Sequence, residues 1–92
     1  MNGVVIPQPR ANSILRGNLK KIDQEDLPVT MGSEVYIING GYAHGTMVIE
    51  KISLDNVHGF TWYLKDIKRI IPKKVKTKEK KWSRWIEEVE LV

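Results

Sequence analysis

The chain has 92 residues, the size of one domain, and its 41% hydrophobic content is that of a folded globule, which excludes a fully disordered chain. With no cysteine it has no disulfide, no thiolate metal site and no thiol nucleophile. Its net charge of +4 is unevenly spread: residues 65–81 hold nine Lys/Arg against Asp66 and Glu79, a net of +7, so the rest of the chain sums to −3, and such a field attracts polyanions.

No apolar run approaches the roughly 20 residues of a membrane-spanning helix, and residues 1–10 lack the basic and apolar regions of a secretory leader. A soluble, cytoplasmic protein without a membrane partner is expected. Residues 1–12 contain Pro7 and Pro9, which push their predecessors into extended geometry, and they show no periodic apolar face. They read as an arm. Residues 13–26 are ambiguous. Ile14, Leu15, Leu19 and Ile22 fit a helical stripe that Ser13 would cap. Gly17 weakens a helix by about 1 kcal/mol, and Leu15, Gly17 and Leu19 also permit a strand. A short helix or a turn-rich segment is expected.

From residue 27 the pattern sharpens. Met31, Gly32 and Ser33 make a turn. Residues 34–39 then alternate Val35 and Ile37 against Tyr36 and Ile38, a strand apolar on both faces and so either covered twice or used for contact. Gly40, Gly41 and Gly45 mark a glycine-rich loop around Tyr42 and His44. Residues 46–54 read as a second strand, Asp55 and Asn56 as a turn, and residues 57–63 as a third strand bent at Gly59. Leu64, Lys65 and Asp66 suggest a tight turn before a short last strand, residues 67–71, ahead of Pro72. Short strands with short connections predict a mainly β fold, a small barrel over residues 27–72 with an N-terminal extension over residues 1–26.

Residues 73–92 begin as a lysine-rich connector. Trp82, Trp85, Ile86, Val89 and Val92 then fall at helical spacing, which predicts an amphipathic α-helix over residues 78–91. Lysines crowd its N-terminal end and Glu87, Glu88 and Glu90 its C-terminal end, so the charges oppose the helix dipole. Such a helix forms only by docking its Trp/Ile/Val face, on the barrel or on a partner. The tryptophans fit core packing over an open barrel end better than a partner anchor. The acidic polar face does not suit a membrane surface.

The candidate nucleic-acid contacts are Lys65, Lys68, Arg69, Lys73, Lys74, Lys76, Lys78, Lys80, Lys81 and Arg84. Lysine outnumbers arginine among them, which favours point-charge attraction to phosphates over base readout. Tyr42, Trp62, Tyr63, Trp82 and Trp85 would stack on bases where exposed; Trp62, Tyr63, Trp82 and Trp85 are also candidate contacts for a protein partner. The bland reading of the same lysines is a solvated stretch that guards a sheet edge. His44 and His58 have no metal-ligand spacing, even with Glu50 or Asp55. The glycine loop lacks the Lys-Ser/Thr pair of a phosphate loop, and no paired carboxylates or Ser/His/Asp set stand out. Neither a metal, a cofactor nor an enzymatic activity is expected.

The run from Gly32 to Ile52 resembles the KOW motif of SH3-like small barrels, with Val35, Ile37, Gly40 and Tyr42 on the pattern and Met47 where the family has its central glycine. Residues 60–70 likewise resemble the last two strands of such barrels. The resemblance implies an SH3-like barrel and contact with RNA or RNA polymerase. The same stretch is similar to the plasmid-encoded type II dihydrofolate reductases. Their Val-Gln-Ile-Tyr strand lies over Phe60-Thr61-Trp62-Tyr63, so Thr61 replaces the ligand-contacting glutamine. The binding lysine of that family has no counterpart in residues 36–39, so reductase activity does not carry over. The expected function is a non-catalytic accessory protein contacting DNA or RNA, without sequence preference, through its lysines. The alternatives are a protein-interaction module or small inhibitor of a host protein, of the phage or mobile-element type its size suggests, and a structural subunit of an oligomer reached by the arm.

Overall fold

The computed structural model describes residues 1–57, 59–78 and 83–92. Its elements run β1 (Gly3–Val5), α1 (Arg10–Leu15), β2 (Lys21–Gln24), β3 (Glu34–Asn39), β4 (Tyr42–Asn56), β5 (Gly59–Lys74) and β6 (Trp85–Ile86). The strands form a single sheet in the order β2-β5-β4-β3-β1-β6. β3 and β4 are joined by the two-residue turn Gly40–Gly41, with φ of 60° and 81°. Positive φ at both central residues is what a twisted hairpin with a two-residue turn requires, and glycine supplies it without strain. β1 lies parallel to β3, and β6 pairs antiparallel with β1. The mainly β expectation is met, by a curled half-barrel.

The curl is read from two tryptophans. β5 and β6 are four strand spacings apart in the sheet, or about 19 Å if it lay flat. Yet the Trp62 and Trp85 rings are 5.8 Å apart. The sheet therefore bends until the neighbourhoods of its two edges meet. Inside the curl lies the main core, which includes Val4, Ile6, Ile22, Val35, Ile37, Met47, Ile49, Trp62, Leu64 and Trp85, with Ala11, Ile14 and Leu15 of α1 joining it. A smaller cluster of Ile38, Ala43 and Ile86 gathers Val5, Tyr36, Ile70, Val75, Val89 and Leu91. β3 thus buries both faces, one in each cluster, which explains its lack of a polar side.

Three sequence expectations need correction. The stripe from residue 13 to 26 is not one element. α1 starts at Arg10 and ends where Gly17 takes φ 78°. Gly17 N donates to the Ile14 carbonyl and Asn18 N to the Ser13 carbonyl, the paired bonds of a left-handed helix stop. Ile22 then belongs to β2. Second, the chain does not turn at Leu64–Asp66: β5 runs straight through. Asp66 adopts φ 49° and the register against β4 slips there, between the pairs Thr46–Lys68 and Val48–Lys65. A bulge bends a strand without ending it.

The third correction concerns the C-terminus. No helix forms over the described residues 83–92. Trp85–Ile86 is a strand, and Glu88 has φ 49°. Trp82 lies outside the described residues. Trp85 enters the main core and Ile86 the smaller one, an alternation of period two. The opposed dipole charges made the helix weak, while the extended form gives the Val5 N–H the Arg84 carbonyl at 2.7 Å. Val92, placed on the helical stripe by spacing, is 79% exposed. Among the described residues, no helix is long and apolar enough to cross a membrane.

Candidate nucleic-acid interface

β5 changes character along its length. Up to Leu64 it is a core strand, flanked by β4 on one side and by β2, which pairs with Phe60–Tyr63, on the other. Beyond Leu64 no β2 residue pairs with it and β4 remains its strand neighbour, until the tail takes up the other side at Lys74–Lys76. Lys65, Lys68, Arg69, Lys73 and Lys74 are all exposed on this stretch, together with Ile71 and Pro72. Proline is tolerated there because an edge position needs no ladder donor on its open side. The chain continues past β5 with Lys76 and Lys78 exposed and Val75 and Thr77 half-buried between them. Lys74 and Lys76 flank the bridge residue Val75 and so lie on one side of the chain, about 6.6 Å apart along it, and Lys78 follows the bend at Thr77.

The row is held from the tail. Lys76 N donates to the Glu90 carbonyl at 2.7 Å, Val92 N to the Lys74 carbonyl at 2.9 Å, and Glu90 N to Thr77 Oγ1 at 2.8 Å. Glu90 is therefore an acidic neighbour of the row, whereas Glu88 is tied by its N–H to Asn2 Oδ1 near the chain start. Lys65, Lys68, Arg69, Lys73, Lys74, Lys76 and Lys78 make no ion pair with another described residue. Lys80 and Lys81 lie outside the described residues. Arg84 is exposed but stands apart from the row, at the foot of β6.

The aromatic candidates separate by burial. Trp62 is 1% and Trp85 8% exposed, so neither offers a face to a base or a partner. Tyr63 is half-buried, with the Lys51 ammonium 4.7 Å from its ring centre. Tyr42 is 44% exposed and sits directly across from Lys74 in the β4–β5 register. The sequence offered Tyr42 as one of several aromatics; its pairing with Lys74, 32 positions away, follows only from the register.

Arg84 and Trp85 belong to a second feature, the seam between the sheet edges. A cleft of about 260 Å³ opens there, lined by Arg10, Asp23, Asp26, Trp62, Arg84 and Trp85 among others. Its polar groups largely answer one another. The Leu64 N–H bond to the Lys20 carbonyl sets the β2 ladder so that the Asp23 carbonyl faces outward, where Arg10 Nη1 meets it at 3.2 Å. Asp23 Oδ1 accepts from Thr61 Oγ1 at 3.1 Å, and the Asp26 carbonyl from Trp62 Nε1 at 3.0 Å. On β6 the outward Trp85 N–H donates to Ser83 Oγ at 3.1 Å. Both edges are thus blunted locally, as exposed edges in soluble proteins are. Among the described residues no three His, Asp or Glu side chains come together as metal ligands. No protein-family model matches the chain, and no curated protein matches it in sequence.

Proposed function

We propose that this chain is a non-catalytic accessory protein that holds nucleic acid by its phosphates, along β5 beyond Leu64 and its continuation to Lys78. The observation that carries the reading is the set of exposed cations along a sheet margin that make no ion pair with another described residue. Lysines that only guard an edge need no contact with phosphates. Lysines that neutralise phosphates release counterions, and affinity then falls steeply with salt, by roughly 0.7–0.9 in the log–log slope per contact. The predominance of lysine supports attraction without base readout. The KOW-like and SH3-like reading of the barrel is part of this proposal. It rests on the β3–Gly40–Gly41–β4 hairpin and on the aromatic start of β5.

The test is a titration of labelled nucleic acid by fluorescence anisotropy over a range of salt concentrations. The wild-type chain is expected to bind at low salt and release as salt rises. Replacing Lys73, Lys74, Lys76 and Lys78 by Gln is expected to flatten the slope by about 3 and abolish binding at moderate salt. Binding that ignores salt, or no binding at low salt, refutes the reading.

A second reading, a protein-interaction module, is favoured by one patch. Met1, Leu27, Val29 and Met31 are each 44–54% exposed. Asn2 Nδ2 donates to Thr30 Oγ1 at 2.8 Å, which brings the start of the chain to the segment that carries Val29 and Met31. Capture of one host protein that Met31→Asp abolishes and nuclease leaves intact would select it over the first. The Val35–Ile38 face does not serve this role, since Val35, Ile37 and Ile38 are buried.

A further inference from the structure

We infer that the bound nucleic acid is single-stranded and that Tyr42 is the platform on which one of its unpaired bases stacks. This rests on the phosphate-binding reading of the lysine row and adds the class of ligand to it. Residues directly opposite in an antiparallel pair share a face, with Cβ atoms about 4.5–5.5 Å apart. Tyr42 is opposite Lys74, so its ring stands beside Lys74, with exposed Lys76 two residues further along the chain. Tyr42 is itself exposed, and the preceding turn is uncrowded, since a Cβ added at Gly40 or Gly41 would meet nothing within 4 Å. On the other flank His44 lies with its ring centre 6.4 Å from that of Tyr42, tilted by 51°. The His44 ring is held in place by the contact of Nε2 with the Asn39 carbonyl at 3.1 Å.

Tyrosine at such a place needs a reason. It belongs to neither buried cluster, and at 44% exposure it leaves much of its apolar ring in water. An aromatic face beside a cationic row is the combination that binds single strands, because every base has a face to stack while the cations follow the backbone. A duplex keeps its bases stacked on each other and offers the ring nothing. Trp62 and Trp85 are buried, Phe60 and Tyr36 pack against the two core clusters and Tyr63 is covered by Lys51, so among the described aromatics the stacking role falls to Tyr42.

The experiment compares a labelled oligothymidylate of about 12 nucleotides, within the span of known single-strand sites, with a duplex of the same length. Wild type, Tyr42→Ala, Tyr42→Leu and Tyr42→Phe are titrated at one low salt concentration, each checked for an unchanged melting curve. Expected is tighter binding of the single strand and a loss of roughly 5- to 100-fold for the Ala and Leu variants on the single strand. Duplex affinity should not change, and Tyr42→Phe should bind as wild type. Equal binding of the two probes, or Ala and Leu variants that bind the single strand as wild type does, overturns the stacking inference while the electrostatic reading stands. Failure of both probes to bind wild type overturns the two together.

Discussion

Trp85 is 8% exposed and touches Trp62 across the seam, the place where the curled sheet comes closest to closing. A tryptophan used as a partner anchor can be truncated with little effect on the free protein. One that fills a core cannot: the lost burial plus the remaining cavity cost about 3–5 kcal/mol. Total stability for a small domain is on the order of 5–15 kcal/mol, so the Trp85→Ala variant should lose a large fraction of it and unfold at a markedly lower urea concentration. Urea titration followed by circular dichroism checks this, and an unchanged midpoint would return Trp85 to the surface. Ring-to-ring contact is the smaller part. A double-mutant cycle with Trp62→Leu and Trp85→Leu is expected to give a coupling of about 0.5–1.5 kcal/mol. Trp62 carries an additional tie that a hydrocarbon cannot replace, its Nε1 bond to the Asp26 carbonyl. That bond anchors the connection from β2 to β3 over the core.

At the scale of elements, β4, β5 and α1 meet at Gly45. A Cβ there would collide with the Lys68 carbonyl oxygen and with Leu15 Cδ2. The backbone of β5 cannot yield without breaking its pairing with β4, so Gly45→Ala should cost about 1–3 kcal/mol as overpacking. A lowered thermal midpoint, larger than for Gly41→Ala at the open turn, is the expected readout. The same crossing shows why parts of the fold were legible and others not. β3 and β4 carry plain alternation; the sequence placed β3, but read the start of β4, Tyr42 to Gly45, as part of a glycine loop when only Gly40 and Gly41 turn. The far half of β5 carries a bulge at Asp66 and a proline at an edge, two features that in sequence read as turn and stop. The arm and the C-terminal segment were obscure for another reason. β1 pairs with β3 more than 30 residues away and with β6 more than 80 away, and no local pattern encodes such partners. Trp85, Ile86 and Val89 satisfy a helical stripe and a two-faced strand equally well. The lysine candidates could be named because charge is local; that Tyr42 faces Lys74 across two strands could not.

For the molecule as a whole, the two ends of the chain brace each other. β1 is an interior strand, held by β3 on one side and β6 on the other. Val89 N donates to the Met1 carbonyl at 2.8 Å, and Val5 N to the Arg84 carbonyl. The last residues then cross to Lys74 and Lys76 and fix the lysine row. An appended helix could be removed without harm to the barrel. A strand that covers β1 and packs against Trp62 could not. Deleting residues 83–92 is therefore expected to remove cooperative unfolding, with a shallow denaturant transition and a reduced m-value as exposed surface no longer changes sharply. The deletion also removes Arg84 and three glutamates, which raises the net charge from +4 to +6. Charge alone then predicts tighter binding to nucleic acid. Geometry predicts the reverse, since the row loses the bonds that hold Lys74 and Lys76 in line. A weaker single-strand affinity in the more basic, truncated chain would show that binding depends on the fold presenting its cations as a row; stronger affinity would reduce the interface to net charge.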